Sequence, residues 1–260
     1  MTVLLDLDGV VWLGPQVIPG SPEAIARLRA AGERVVFFTN NSNPTIPAQL
    51  AKLGGMGIDC EASDFLTSGE AAARLLEPGS TALVVGGPGI GEALGERGVK
   101  VTFAGEDGAG DPVPDAVVLG LDQRFDYAKL AQAMTAVLKG AALVATNDDA
   151  TYPSPGGPLP GSGSLVAAVA YATGVKPTVA GKPNRAAADL VAERVGTVSL
   201  AVGDRPSTDG ALARQLGARF GLVLSGVTPP GHGPVDPEPD LEAADLATLV
   251  EEVLTKGSTR

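Results

Sequence analysis

The sequence predicts an α/β protein built on a parallel sheet, and three observations lead there. Short apolar runs recur along the chain, segments of helical period separate them, and polar clusters follow where strands would end. Val3-Leu4-Leu5 and Val35-Val36-Phe37-Phe38 read as buried strands. Between them a helix is expected, capped by Ser21, with Pro22 in its first turn, Ile25 and Leu28 on one face and Gly32 as its stop. Further strands are expected at 82–85, 116–119, 142–145, 178–180, 199–202 and 220–224. Helices are expected at 70–76, opened by a Thr67…Glu70 capping box, and at 127–139, 165–173, 185–195 and 241–254. Parallel α/β sheets bind ligands beyond the carboxyl ends of their strands, so the polar residues at those ends are the ones to read.

Composition narrows the chemistry. The 260 residues include one histidine, His232 in a Pro/Gly run, and one cysteine, Cys60. That excludes a multi-histidine zinc site, an intrachain disulfide and a CxxC pair, and argues against a Ser-His-Asp triad. The chemistry must rest on carboxylates, lysine, hydroxyls, backbone amides or a borrowed metal. A net charge of −11 argues against nucleic acid and anionic membranes as partners. No stretch reaches the roughly 20 apolar residues of a membrane helix. Met1 to Asp6 lacks the basic lead of a secretory signal, so a cytoplasmic protein is expected.

Four polar clusters stand at strand ends. Asp6 and Asp8 of Asp6-Leu7-Asp8-Gly9-Val10 are two apart, so in an extended segment both face one side. Adjacent carboxylates repel unless a cation joins them or one holds a proton, an arrangement that suits Mg²⁺; alone, the pair also reads as a solvated turn. Thr39-Asn40-Asn41-Ser42 offers hydroxyl, amide and backbone donors for an anion, or an ordinary Asx turn. In Gly181-Lys182-Pro183-Asn184, Pro183 biases Lys182 towards an extended conformation from which its ammonium can meet a carboxylate or phosphate; a solvated lysine is the plainer reading. Gly203-Asp204-Arg205-Pro206-Ser207-Thr208-Asp209 supplies Asp204 as a candidate metal ligand, while Asp209 can equally cap the next helix.

In this order, DLDGVVW (6–12), FFTNNS (37–42), GKPN (181–184) and GDRPSTD (203–209) closely resemble the haloacid dehalogenase (HAD) superfamily of phosphotransferases. Within it the chain is similar to the NagD-like or p-nitrophenylphosphatase-like branch, through LGLDQRFDYAKL (119–130), ATNDD (145–149), LPGSGSLVAAV (159–169) and SGVT (225–228). The resemblance implies a doubly wound, Rossmannoid HAD-like core and a Mg²⁺-dependent phosphatase of small phosphorylated metabolites. It implies that Asp6 is the nucleophile forming an aspartyl-phosphate and that Asp8 is the general acid/base. Mg²⁺ would be held by Asp6, the Asp8 backbone carbonyl and Asp204. Thr39 and the Asn40 amide would bind phosphoryl oxygens, and Lys182 would offset charge. Carboxylates are competent nucleophiles for phosphoryl groups, and the transfer depends mainly on positioning and charge.

Spacing adds a second unit. Only 33 residues separate Asp6 from Thr39, but 143 separate Thr39 from Lys182, far more than one helix and one strand require. An inserted domain is therefore expected at about 78–177, with the core formed by 1–77 and 178–260. The resemblance makes it an α/β cap that selects substrate and that serves homodimers in the branch. Asn41, Asn147, Asp148 and the 161–164 loop are candidates to face the substrate, with Ser162 or Ser164 equally able to cap the helix at 165. Trp12 and Tyr152 read as packing residues. Gly86-Gly87-Pro88-Gly89 lacks dinucleotide-loop spacing and reads as a strand-to-helix turn. The chain departs from the branch pattern at Pro206 and Gly210, where aliphatic residues are usual, and in the acidic, Pro-rich run 228–240. Two rivals share these residues: a phosphoacceptor signalling domain and a sugar-phosphate-binding protein without turnover. The long insert and Asp8 oppose the first, and the complete motif set opposes the second.

Overall fold

The computed structural model describes residues 1–106, 108–154 and 156–257. Two parallel sheets organise it. The first has the strand order Leu241–Ala243, Arg219–Val223, Leu200–Gly203, Thr2–Leu5, Arg34–Thr39, Phe65–Thr67. The chain starts in the middle at Thr2–Leu5, winds outward on one side, and after the insert winds outward on the other. This reversal puts a topological switch point between Thr2–Leu5 and Leu200–Gly203, which are paired in parallel from Val3–Leu200 to Leu5–Val202.

Alternation along the strands builds an apolar layer on each face. Val3, Leu5, Val35, Phe37 and Phe65 join Trp12 and Leu249 on one side; Leu4, Val36, Phe38 and Leu66 join Leu190 and Phe220 on the other. The second layer continues into the other sheet, whose order is Thr178–Val179, Ala142–Ala145, Ala116–Leu119, Thr81–Val85, Lys100–Phe103. Val84, Val118 and Val144 face the shared layer, while Leu83, Val85, Val117 and Leu119 face a third cluster. Thr178–Val179, assigned by the spacing argument to the start of the returning core, is hydrogen-bonded into this second sheet. Among the described residues no helix is long and apolar enough to cross a membrane.

Several local expectations change. Gly20, at φ 82°, is the N-cap of helix Ser21–Ala30, and the Ser21 hydroxyl donates instead to the Val10 carbonyl. The Thr67–Glu70 capping box is present, on helix Ser68–Ala73. Residues 241–254 divide into the strand Leu241–Ala243, with Glu242 outward between two buried residues, and the helix Leu246–Gly257. Helices Ile46–Gly55 and Pro88–Glu96 escape sequence reading because Pro and Gly punctuate them. The Gly86-Gly87-Pro88-Gly89 turn does more than join strand to helix. Side chains at Gly87 and Gly89 would collide with the backbone of Asn43 and Pro44, so the bare turn seats the core loop that carries the second motif. Asn43 Nδ2 donates to the Leu121 carbonyl (2.8 Å) and Ser42 Oγ to Thr146 Oγ1 (3.0 Å), fastening that loop to the second sheet.

The departure at 210 gains a structural account. Pro206–Gly210 forms a π-helical turn ahead of helix Ala211–Gln215. A Cβ at Gly210 would lie 2.8 Å from the Phe220 ring and 2.9 Å from Pro237. The acidic, Pro-rich run, through Pro237, thus packs in the space that a side chain at 210 would need. The run is tied down by Asp240, which accepts from the Phe220 amide (2.7 Å) and from Arg214 (2.6 Å). Restoring the usual residue with Gly210→Ile is expected to destabilise the protein by about 1–3 kcal/mol in urea unfolding, as overpacking does. Adding Pro237→Gly should recover part of that loss.

Candidate active site

The site forms at the switch point. The Asp6 amide donates to the Val202 carbonyl (2.9 Å), carrying the first strand's pairing one residue further. Asp204 leaves the adjacent strand Leu200–Gly203. Between the carboxylates reaches Lys182, whose Nζ donates to Asp6 Oδ1 (2.6 Å), Asp209 Oδ1 (2.7 Å) and the Phe38 carbonyl (3.0 Å). All three of its donors are used, and its side chain is only 4% exposed. Carboxylate oxygens of Asp6, Asp204 and Asp209 lie within 4.8 Å of one another.

Burial disfavours charge here and sets the electrostatics. It lifts the Asp6 carboxyl well above the ordinary range; Lys182 opposes the rise, and Asp209 and Asp204 add to it. Burial, then Asp209, push Asp204 up to about 7. Burial would lower Lys182, yet Asp209 and Asp6 hold it above its usual value. With all groups ionised, three carboxylates face one ammonium. A hard divalent cation that takes oxygen ligands removes the excess negative charge, so the donor set fits Mg²⁺.

Glycines shape the approach to Asp204. Gly9, at φ +88°, and Gly226 both abut its carboxylate, and a Cβ on either would overlap it. Asp204 Oδ2 accepts from the Val227 amide (2.6 Å), while its carbonyl accepts from the Thr228 hydroxyl (2.6 Å). Asp209, weighed from the sequence as a helix cap, makes no such cap. It accepts from Lys182 and, through Oδ2, from the Arg205 amide (3.2 Å).

Asp8 stands apart from the three-carboxylate cluster. Its Oδ1 accepts from Trp12 Nε1 (3.0 Å), and burial raises its pKa against the pull of Lys52. Asp6 and Asp8 nonetheless line one solvent-open cavity, together with Thr39, Asn40, Asn41, Asn147, Lys182, Asp204 and Asp209. Thr39 Oγ1 accepts from the Asn41 amide (2.9 Å), and Asn41 Oδ1 accepts from the Asn43 amide (3.1 Å), so the turn read in the sequence also exists.

Asn40 is the hub. Its Oδ1 accepts from the Lys182 amide (2.9 Å), its Nδ2 donates to Asp149 Oδ2 (3.0 Å) and the Lys182 carbonyl (3.2 Å), and its carbonyl accepts from Ser68 and Asn147. Asp148 is exposed and does not line the cavity; Asp149 does. The sequence reading passed over Asp149 and Arg205, whose guanidinium stands 3.6 Å from Asp149 and donates to the Thr151 carbonyl (3.0 Å). Two adjacent acids after a strand point to opposite sides, so Asp149 faces the cavity where the sequence offered Asp148. Ser162 lies inside helix Ser162–Thr173, caps nothing and accepts from Asn147 Nδ2 (3.2 Å). Tyr152 also lines the cavity.

Comparison with known proteins follows this geometry. Residues 3–100 match the family of haloacid dehalogenase-like hydrolases, and residues 179–249 match a HAD-hydrolase-like family. Glycerol-3-phosphate phosphatase of Gallus gallus is 36% identical over 87% of this chain and 80% of its own length. The crystal structure of a Mycobacterium tuberculosis glycerol phosphate phosphatase in complex with magnesium superposes with a TM-score of 0.83, 35% identity, and coverage of 95% of this chain and 75% of that one. A 4-nitrophenylphosphatase of Thermotoga maritima gives a TM-score of 0.83 at 33% identity, covering 96% of each chain.

The crowding around Asp204 yields a prediction. Gly9→Ala forces a side chain into the Asp204 carboxylate, so the affinity for Mg²⁺ in isothermal titration calorimetry is expected to fall at least about tenfold, as a strained, displaced ligand implies.

Proposed function

The chain belongs to the haloacid dehalogenase-like hydrolases, and from that premise we propose how its residues divide the work of a magnesium-dependent phosphatase of small phosphomonoesters. The carrying observation is the Lys182 ammonium held between Asp6 and Asp209, with Asp204 beside them. An Asp6 carboxylate oxygen attacks phosphorus in line with the ester oxygen. As the new O–P bond forms, the old one breaks, and the leaving oxygen takes a proton from Asp8. Water then attacks the aspartyl-phosphate, returns a proton to Asp8, and releases phosphate with Asp6 restored. Lys182 holds Asp6 in place and offsets charge on the phosphoryl group, while Thr39 and the Asn40 amide receive its oxygens. Asp6, Asp204, the Asp8 carbonyl and, in addition to the expected set, Asp209 are the groups that would hold Mg²⁺. Bound there, the ion supplies Lewis-acid stabilisation of the phosphoryl charge.

Residues 78–177 serve in this reading as a cap, presenting Asn147, Asp149 and Tyr152 to the substrate. A small hydroxylated alkyl phosphate such as glycerol phosphate suits these polar groups, and two of the similar proteins are glycerol phosphate phosphatases. Asp6→Asn is expected to abolish phosphate release from glycerol phosphate and from p-nitrophenyl phosphate while leaving the circular dichroism spectrum unchanged, and EDTA should silence the wild type. Full activity in either case would overturn the mechanism.

The cap is also the proposed homodimer surface. Helix Ser162–Thr173 carries no charged residue, and beyond its first turn the exposed positions are Ala167, Tyr171 and Ala172, with Tyr171 95% exposed. An uncharged helix that exposes alanines and a tyrosine is expected to be covered. If a second copy covers it, Tyr171→Asp should shift the chain towards monomer in light scattering without changing kcat/KM.

A further inference from the structure

The single tryptophan lies outside the roles assigned above, and so does the lysine stacked on it. Trp12 is 1% exposed, four residues beyond Asp8 in a tight turn where the Gly9 amide donates to the Trp12 carbonyl (2.7 Å) and the Trp12 amide to the Leu7 carbonyl (3.1 Å). The turn places indole Nε1 at 3.0 Å from Asp8 Oδ1. On the ring face, Lys52 Nζ sits 3.6 Å from the ring centroid. Its second partner is the Gly14 carbonyl, at 2.9 Å. Lys52 belongs to helix Ile46–Gly55, which carries none of the four motifs.

A carboxylate with two free oxygens rotates about its terminal torsion, which is broad. An indole N–H is a donor only, so its bond to Oδ1 fixes which Asp8 oxygen is engaged and leaves Oδ2 for the substrate. The cation on the ring face, itself anchored by a carbonyl, fixes the plane of the indole. We propose that Trp12, held by Lys52, is a positioning residue that orients Asp8 so that Oδ2 delivers the proton to the leaving oxygen. This rests on the acid/base role given to Asp8 above.

The consequence depends on the leaving group. An alkoxide must be protonated as the P–O bond breaks, whereas p-nitrophenolate leaves readily without a proton. Misorienting Asp8 therefore penalises glycerol phosphate and spares p-nitrophenyl phosphate in kcat/KM, which reports the steps through phosphoryl transfer to Asp6. A merely structural role for Trp12 would lower both together.

Two substitutions remove the N–H. One is Trp12→Phe. The other replaces tryptophan by β-(3-benzothienyl)alanine in an auxotroph, which changes only this position because the chain has one tryptophan. It keeps the ring's shape should Trp12→Phe fold poorly. Both are expected to lower kcat/KM for glycerol phosphate about tenfold or more, within the range of a general-acid contribution, and to change that for p-nitrophenyl phosphate less than about threefold. Lys52→Met should show the same bias, smaller. Asp8→Asn is the reference. If it shows the bias and the Trp12 replacements lower both substrates equally, or neither, the proposal is overturned while the reading of Asp8 stands. If Asp8→Asn shows no bias, the acid/base assignment falls and the proposal with it.

Discussion

The ammonium of Lys182 is the contact on which the rest of the site depends. It joins residues from three places far apart in the chain: Asp6 after the first strand, Phe38 within the second, and Asp209 in the π-helical turn. Two carboxylates this close and this buried would not both stay ionised without it. A buried ion pair contributes little net stability when compared with a well-packed apolar pair, but removing one partner leaves an unpaired charge at a cost of about 3–5 kcal/mol. The cluster is therefore better understood as a commitment to geometry. Once the lysine is seated, the carboxylates cannot drift apart, and the remaining negative charge makes the site receptive to a divalent cation.

That geometry is supported by an apolar layer running from the core sheet through helices Ser68–Ala73 and Pro88–Glu96 to the inner face of the second sheet. The sheets meet as one packed body along this layer, and the polar seam above it repeats the joining. Asn40 reaches Asp149, Ser42 reaches Thr146, Asn43 reaches Leu121, and Arg205 reaches Thr151. Each joins a core loop to a loop of the second sheet beside the cavity. The side chains proposed to receive phosphate are thereby tied to those proposed to meet the rest of the substrate.

Much of this was legible in the sequence because strand ends in a parallel sheet are written locally. A short apolar run followed by Asp, Thr or Gly-Asp marks the strand and its functional terminus together, and the motif residues Asp6, Thr39, Lys182 and Asp204 all line one cavity. What escaped was non-local. Asp209 reads equally as a cap and as a site residue until Lys182, distant in sequence, is placed against it. Asp149 and Asp148 differ only in the direction each faces, which the loop's packing against Gly161 and Gly163 decides. Trp12 looks like a packing residue, and it is one, but a polar edge on a buried aromatic needs a partner that only the turn's conformation supplies. The strand Leu241–Ala243 reads in the sequence as the start of a helix, because three residues of alternation are too few to distinguish the two periods.

Thr178–Val179 closes the second sheet's edge, and the chain does not leave that sheet cleanly. The Ala180 amide donates to the Ala145 carbonyl (2.9 Å) and the Gly181 amide to the Thr146 carbonyl (2.7 Å), so the ladder runs on almost to Lys182. The lysine that neutralises the core's carboxylates is thus anchored to the inserted unit. Exchanging this insert for another, whether by recombination or by design, is consequently not a loop swap. A graft ending at Val179 would present Lys182 correctly only if the incoming edge strand matched its backbone register, and a slip of one residue would disable the core it was meant to re-address.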